Sequence, residues 1–258
     1  MTLTYLGHSA IRFEVSNLNI YVDPYLRDPV DWTKLTPGHL VLYSHGHFDH
    51  GVLMAPMLWK HWGCQFIAPA PLAQWMKRKF RRRIPSEAIL PLDHGQSLYY
   101  GEVKILAVPA HHPVNRMGKT LMTLFARSSS PGKPVNGYYF DGYYHAGATT
   151  YTREIERALS GLPVHTACLP IGGKYATASP MEALAIAEGI SAKRLIPMHW
   201  QPLIDQVFFR YQPSDLIKLV KEKESSIEVC ALAIGEELDF LPPKVILADE
   251  TISPYGLE

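Results

Sequence analysis

Cysteine is scarce in this chain: 258 residues contain three, Cys64, Cys168 and Cys230. They are odd in number, far apart and flanked by apolar residues, which argues against a disulfide framework and for reduced core thiols in a cytoplasmic protein. An excess of charge is also lacking. Lys and Arg total 25 against 24 Asp and Glu, a formal net charge of +1, so no global field favours nucleic acid or a membrane surface. No apolar run approaches the roughly 18 residues of a membrane span. The opening MTLTYLGHSAIRFEV has no basic start leading into an apolar core and a cleavage site, so no secretion signal is expected. A G-x-S-x-G elbow is missing too: Ser9 in GHSAI lacks that frame, and no serine or cysteine nucleophile has a supporting motif. Neither a repeat nor a long polar linker divides the chain. One domain of mixed strands and helices is expected over 1–258, with an irregular tail from about Pro242.

What is present is a dense series of short elements. TLTYL, AIRFEV and LNIYVD read as a β-meander, and the fully apolar HLVLYS as a strand covered on both faces. Helical periodicity runs through VLMAPMLWKHW and PLAQWMKRKF, with QFIAP between them as a strand. Strands are expected at AILPL, SLYY, VKILAVPA and TLMTLFA. Asp141-Gly142 between aromatic segments is a hairpin signal. Helices follow at YTREIERALSG, at SPMEALAIAEG with a serine cap, and at PSDLIKLVKEKE. HTACLPI, RLIPMH and IEVCALA are the later strands.

The chemistry concentrates in SHGHFDHG, where His45, His47, Asp49 and His50 follow directly on an apolar strand. Imidazoles at alternate positions of a loop can converge on one point while the adjacent Asp-His pair turns toward another. Such a donor set suits zinc, manganese or iron. Two ions need further ligands, and the ends of strands are where to look. VPAHHP offers His111 and His112, and LIPMHW offers His199. His8 and His145 are intermediate, either one placed to support ligands from behind. His39, His61, His94 and His165 fall within elements or ordinary loops and are expected to be structural or exposed.

The run from His45 to His50 resembles the H-x-H-x-D-H signature of the metallo-β-lactamase superfamily, whose fold is a four-layer αββα sandwich. YLGHSAIRFE, IYVDPYL, VPAHH, YYHAGATT, LPIGGKY and LIPMHW fall in the order of the branch that looks like L-ascorbate-6-phosphate lactonase and related metal-dependent hydrolases. N-acyl phosphatidylethanolamine phospholipase D is similar at the same positions. The resemblance implies that His45, His47 and His112 hold one metal, His112 being selected over His111 by the P-A-x-H pattern. Asp49, His50 and His199 would hold a second, with a matching family aspartate, Asp23, behind them; His8 is read as a further support from its placement. It also exposes a departure: where the family reads G-D-T, with an aspartate bridging both metals, this chain has Ala148. The bridging carboxylate normally offsets repulsion between two dications, so the second position is expected to be weak, vacant or completed by water or a substrate anion.

The implied activity is metal-assisted hydrolysis, in which a water acidified toward neutrality attacks a small ester, lactone or phosphorylated metabolite. Asp49 would orient or deprotonate the water, and His199 would stabilise the oxyanion. One or two Zn2+ are expected, with Mn2+ or Fe2+ as alternatives. Residues 77–83, KRKFRRR, would favour a phosphodiesterase or phospholipase D-like reading if they lay beside the site mouth; otherwise they are a solvated helix end. Arg116, Lys119, Lys174 and Tyr175 are candidate contacts to an anionic small-molecule substrate. Ala148 motivates a third reading, a catalytically impaired metal- or ligand-binding protein. No nucleic-acid partner is expected, and homo-oligomerisation is left open.

Overall fold

The structure, a computed structural model, describes residues 2–26, 30–112, 132–173, 177–201 and 210–239. The chain starts with a meander of β1 (Thr2–Gly7), β2 (Ala10–Val15) and β3 (Leu18–Val22), extended by the parallel strands β4 (Leu40–Leu42), β5 (Gln65–Ala68) and β6 (Ile89–Pro91). Helices α1 (Ala55–Trp62) and α2 (Ala70–Lys79) make the crossovers between the parallel strands. A second meander follows in β7 (Ser97–Tyr100), β8 (Val103–Ala110), β9 (Val135–Phe140) and β10 (Tyr143–His145). It too is extended by parallel strands, β11 (Thr166–Pro170), β12 (Arg194–Met198) and β13 (Glu228–Val229). Their crossovers run through α3 (Arg153–Leu159), α4 (Pro180–Gly189) and α5 (Pro213–Glu222). The short strand β14 (Glu237–Asp239) then returns to pair antiparallel with β1.

Two seven-stranded mixed sheets result, ordered β14-β1-β2-β3-β4-β5-β6 and β13-β12-β11-β10-β9-β8-β7. Each half of the chain follows the same plan, an antiparallel meander first and parallel strands after it. The core between the sheets joins Leu3, Phe13, Ile20 and Leu42 of the first to Ile105, Phe140, Cys168 and Ile196 of the second, and continues to α3, α4 and α5 through Ile155, Ala187 and Leu216. A separate cluster of Tyr21, Val41, Tyr43 and Phe66 packs the other face of the first sheet against α1 and α2 through Leu58, Leu72 and Met76. Helices therefore cover both outer faces, and the architecture is the expected αββα sandwich.

Local chemistry explains most element boundaries. Pro56 occupies the first turn of α1, where its missing N–H costs nothing, and a 3-10 turn at Val52–Met54 precedes the helix in place of the continuous helix expected from periodicity. Gly63, with a φ of 63°, ends it. Asp141 and Gly142 both have positive φ, 47° and 82°, as a tight hairpin turn requires, and Phe140 pairs with Tyr143 across it. Helix α4 opens on a reciprocal cap between Ser179 and Glu182. Cys64 and Cys168 are buried, Cys230 is half-buried, and all three are free thiols. Among the described residues no helix is long and apolar enough to cross a membrane. The expected strand at TLMTLFA and the tail from Pro242 lie outside the described residues.

Candidate metal centre

The ends of several strands meet at one edge of the sandwich. β4 leads into Tyr43 and Ser44, and the next residues wind into a 3-10 turn at Phe48–His50 that places Asp49 and His50 inward. Gly51 ends this turn at a φ of 79°; a Cβ there would stand 2.3 Å from the Pro24 carbonyl oxygen, so no larger residue fits. β8 delivers His112, whose segment is fixed by hydrogen bonds from the His111 N–H to Thr149 Oγ1 and from the Thr150 N–H to the His111 carbonyl. β12 delivers His199, and the β1–β2 hairpin delivers His8. The backbone binds these last two together: the His199 N–H donates to the His8 carbonyl at 2.8 Å.

Two groups of possible ligands form. His45, His47 and His112 each offer one atom, all within 4.8 Å of one another; His8, Asp49, His50 and His199 do the same. The groups abut, with the His45 and His50 ring centroids 4.1 Å apart. In the first, His45 Nε2 lies 2.8 Å and His112 Nε2 3.2 Å from His47 Nδ1. In the second, Asp49 Oδ2 lies 3.2 Å from His8 Nε2 and 3.9 Å from His199 Nε2. A tetrahedral ion at about 2.0–2.1 Å from its ligands would set neighbouring ligand atoms about 3.3 Å apart. Two further buried atoms, Asp49 Oδ1 and His50 Nε2, have no hydrogen-bond partner among the described residues. Imidazole nitrogens and a carboxylate at these spacings fit a borderline divalent cation.

Behind the ligand atoms the hydrogen bonds settle the tautomers. Asp23, buried and at a φ of 46°, accepts from the Ser44 N–H at 2.7 Å, from Ser44 Oγ at 2.6 Å and from His50 Nδ1 at 2.7 Å. With the Ser44 hydroxyl proton committed to Asp23, Ser44 Oγ is left to accept from His45 Nδ1, 2.9 Å away. Both His45 Nε2 and His50 Nε2 are then lone-pair atoms facing the site. Ser44 and Ser9, which lies 3.3 Å from His50 Nδ1, escaped the reading of the sequence. The only signal was their place beside His45 and His8. His145 stands apart from both groups, its Nδ1 accepting from the Gly147 N–H and its Nε2 donating to the Ser9 carbonyl.

Burial dominates the electrostatics. It pushes the His45 and His199 imidazoles well below their ordinary pKa, with neighbouring ring charges adding to the effect, and it lowers His8 and brings His47 down to about 4. His50 moves the other way, because the charge and hydrogen bond of Asp23 outweigh its burial. For Asp49, burial opposes ionisation, yet the hydrogen bond with His8 and the His50 charge hold the carboxyl well below the usual range. His8, Asp23 and His199 all sit in the left-handed region, at 53°, 46° and 56°, where a residue other than glycine costs about 1 kcal/mol. Such strain persists where surrounding contacts over-determine it.

The remaining candidates are placed as follows. Ala148 is fully buried, between Gly147, which packs on Ser44, and Thr149, which holds His111. The cations of residues 77–83 lie at the far end of α2. That helix leaves the site edge after β5 and returns to the opposite edge, where β6 begins, so the cluster does not border the site. His39 accepts the Asn19 N–H, His94 bonds the Val135 carbonyl, and His61 packs at a tilt against Trp32. Arg116, Lys119, Lys174 and Tyr175 lie outside the described residues.

Comparison with known proteins places this geometry. Residues 19–200 match the beta-lactamase superfamily domain, and the chain belongs to that superfamily. It is 29% identical over 215 residues to a metal-dependent hydrolase of Pyrobaculum neutrophilum, covering 80% of this chain and 88% of that one. A metal-dependent hydrolase of Pyrobaculum islandicum is 28% identical over 247 residues, 92% of this chain and 99% of its own. Among solved structures, a novel metallo hydrolase from the hyperthermophilic archaeon Ignicoccus hospitalis superposes with a TM-score of 0.73 at 22% identity, over 93% of this chain and 99% of that one. A Zn-dependent hydrolase of the metallo-beta-lactamase superfamily from Thermotoga maritima gives 0.53 at 20% identity, over 84% of each chain. The last two show the shared fold.

Proposed function

We propose that this protein is a metal-dependent hydrolase of small esters, lactones or phosphorylated metabolites, in which His45, His47 and His112 hold one ion and Asp49, His50 and His199 take part in holding a second. The observation that carries the reading is the pair of abutting groups of possible ligands, with buried Asp49 Oδ1 and His50 Nε2 left without hydrogen-bond partners among the described residues. The names of the Pyrobaculum relatives support it. A divalent ion in such a site acidifies a bound water toward neutrality and polarises a carbonyl or phosphoryl oxygen. The lowered pKa values of His45, His47 and His199 keep their imidazoles neutral and ready to ligate at pH 7.

Asp49 stays a carboxylate, and its depressed pKa makes it a poor proton acceptor. Its contribution is to orient the attacking water through Oδ1. A ring nitrogen of His199 that faces an ion cannot also donate to an oxyanion, so ligation is the role assigned to it here. The cations of residues 77–83 lend no support to a phospholipase D-like reading, since they face the far edge.

The test is metal content of the purified chain together with hydrolysis of lactones, carboxylesters, phosphate monoesters and phosphodiesters, before and after chelation and re-addition of Zn2+, Mn2+ or Fe2+. Metal-restored turnover of at least one class is expected. Absence of both bound metal and restored turnover overturns the reading. Ala148, which offers no ligand atom, favours a second reading of a metal-binding protein with little turnover. Ala148→Asp separates the two: an enzyme short of a carboxylate gains hydrolysis, and a chain whose turnover does not rise supports the binding reading or a one-metal mechanism.

A further inference from the structure

We propose that His8 is a direct ligand of the second position, so that His8, Asp49, His50 and His199 close it with four protein atoms while His45, His47 and His112 leave the first position open. The inference rests on the two-position reading above and adds a division of labour between the positions. A site closed by four protein ligands serves structure and electrostatics, whereas a site with three keeps a coordination position for water or substrate. The open position would therefore be the one able to take a water or substrate atom.

The site contains its own standard of comparison. Where a carboxylate supports a histidine from behind, as Asp23 does His50, oxygen and nitrogen stand 2.7 Å apart, a short charge-assisted bond. Asp49 Oδ2 and His8 Nε2 make a longer hydrogen bond of 3.2 Å, and Asp49 Oδ2 and His199 Nε2 stand 3.9 Å apart. These separations bracket the spacing of about 3.3 Å between two ligands of one tetrahedral ion at ordinary bond lengths. His8 also lies against another side chain proposed for that position, its ring centroid 3.9 Å from that of His199 with the two planes tilted by 46°. One atom from each of the four side chains falls within 4.8 Å of the other three, and His8 is as buried as the rest.

Its backbone is held as firmly as a ligand's should be. The His8 carbonyl accepts from the His199 N–H at 2.8 Å and from the Tyr5 hydroxyl at 3.2 Å, and its N–H donates to Gln201 Oε1 at 3.0 Å. Four contributors therefore need no carboxylate from Ala148. A neutral imidazole supplies the missing coordination without the missing negative charge, so the closed position keeps a higher net positive charge than one completed by a carboxylate.

The experiment loads the full chain with Co2+ and counts hyperfine-shifted imidazole spin systems by NMR. Six are expected, three from each position. His8→Gln, whose amide can still bond Asp49, is expected to remove one system and to weaken the second equivalent of Co2+ by more than about 100-fold, beyond the roughly 10- to 100-fold cost of losing a supporting residue. The first equivalent stays unchanged. Five systems in the unaltered chain overturn the proposal without any substitution, and so does a His8→Gln chain that keeps both ions with its spectrum intact; both outcomes leave the hydrolase reading standing. Uptake of a single ion overturns the closed second position alone, and uptake of none overturns both readings.

Discussion

Asp23 satisfies three donors with two oxygens, and one of them is the imidazole whose far nitrogen faces the centre. Asp23→Asn keeps the shape but replaces an acceptor by a donor against His50 Nδ1. Affinity at the second position should fall by about 10- to 100-fold while the first is spared; calorimetric titration with Zn2+ checks this, and equal loss at both positions would show that Asp23 holds the whole edge. His145 gives a pH prediction independent of the ligands. Burial lowers its pKa in the folded chain, so below its ordinary value of about 6.5 the unfolded state binds more protons and stability falls. Its contribution is full above that pH and shrinks as acidification proceeds toward the folded value. In metal-free protein, urea midpoints should drop between pH 7 and pH 5, and His145→Gln should flatten part of that slope. At this scale the sequence was informative where candidate residues are neighbours: His45, His47, Asp49 and His50 form one run, and His112 and His199, picked out at strand ends, lie in the same two groups. The reach of Ser44 and Ser9 was not legible, because a hydroxyl's partner depends on packing between segments far apart in the chain.

Elements with local signals formed where composition placed them. Helix α4 depends on its reciprocal cap, in which Ser179 Oγ accepts the Glu182 N–H and Glu182 Oε2 accepts the Ser179 N–H at 2.9 Å. Ser179→Ala should cost about 1 kcal/mol, read from the shift in chemical denaturation, with Ser179→Asp recovering most of it. Loss well beyond that would mean that Ser179 supports more than the helix end. Where the local signal is weak, the sequence was silent or too generous. Strand β13 is only Glu228–Val229, although IEVCALA alternates over a longer stretch, because its single neighbour β12 pairs with it over two residues. Strand β14 was not anticipated: Glu237 and Asp239 are exposed, ELD carries no strand pattern, and its existence depends on the unpaired edge that β1 offers.

For the whole molecule, the repeated plan of meander and parallel strands was invisible in the residues and appears only in the order of the sheets. The cause is physical: many apolar residues can fill the same strand positions, so two halves can share topology without shared letters. The same topology decides the fate of the cations. A helix of ten residues, as α2 is, is about 15 Å long, so its last turn lies about 10 Å from its first, beyond the Debye length of about 8 Å at physiological ionic strength. Neutralising Arg81, Arg82 and Arg83 together should leave turnover of any anionic substrate unchanged within experimental error in steady-state assays, and a clear rise in KM would place the cluster in recognition after all.

The hydrogen bonds that join His8 to His199 and Gln201, the last spanning 193 positions, also have a meaning in time. During synthesis the hairpin bearing His8 emerges long before its counterparts, and contacts of such separation form late because loop closure must come first. An ion held from both ends, as proposed above, would bind only the finished fold and, by mass action, draw unfinished chains toward it. If His8 ligates as proposed, metal supply would act on the yield of folded protein as well as on its chemistry.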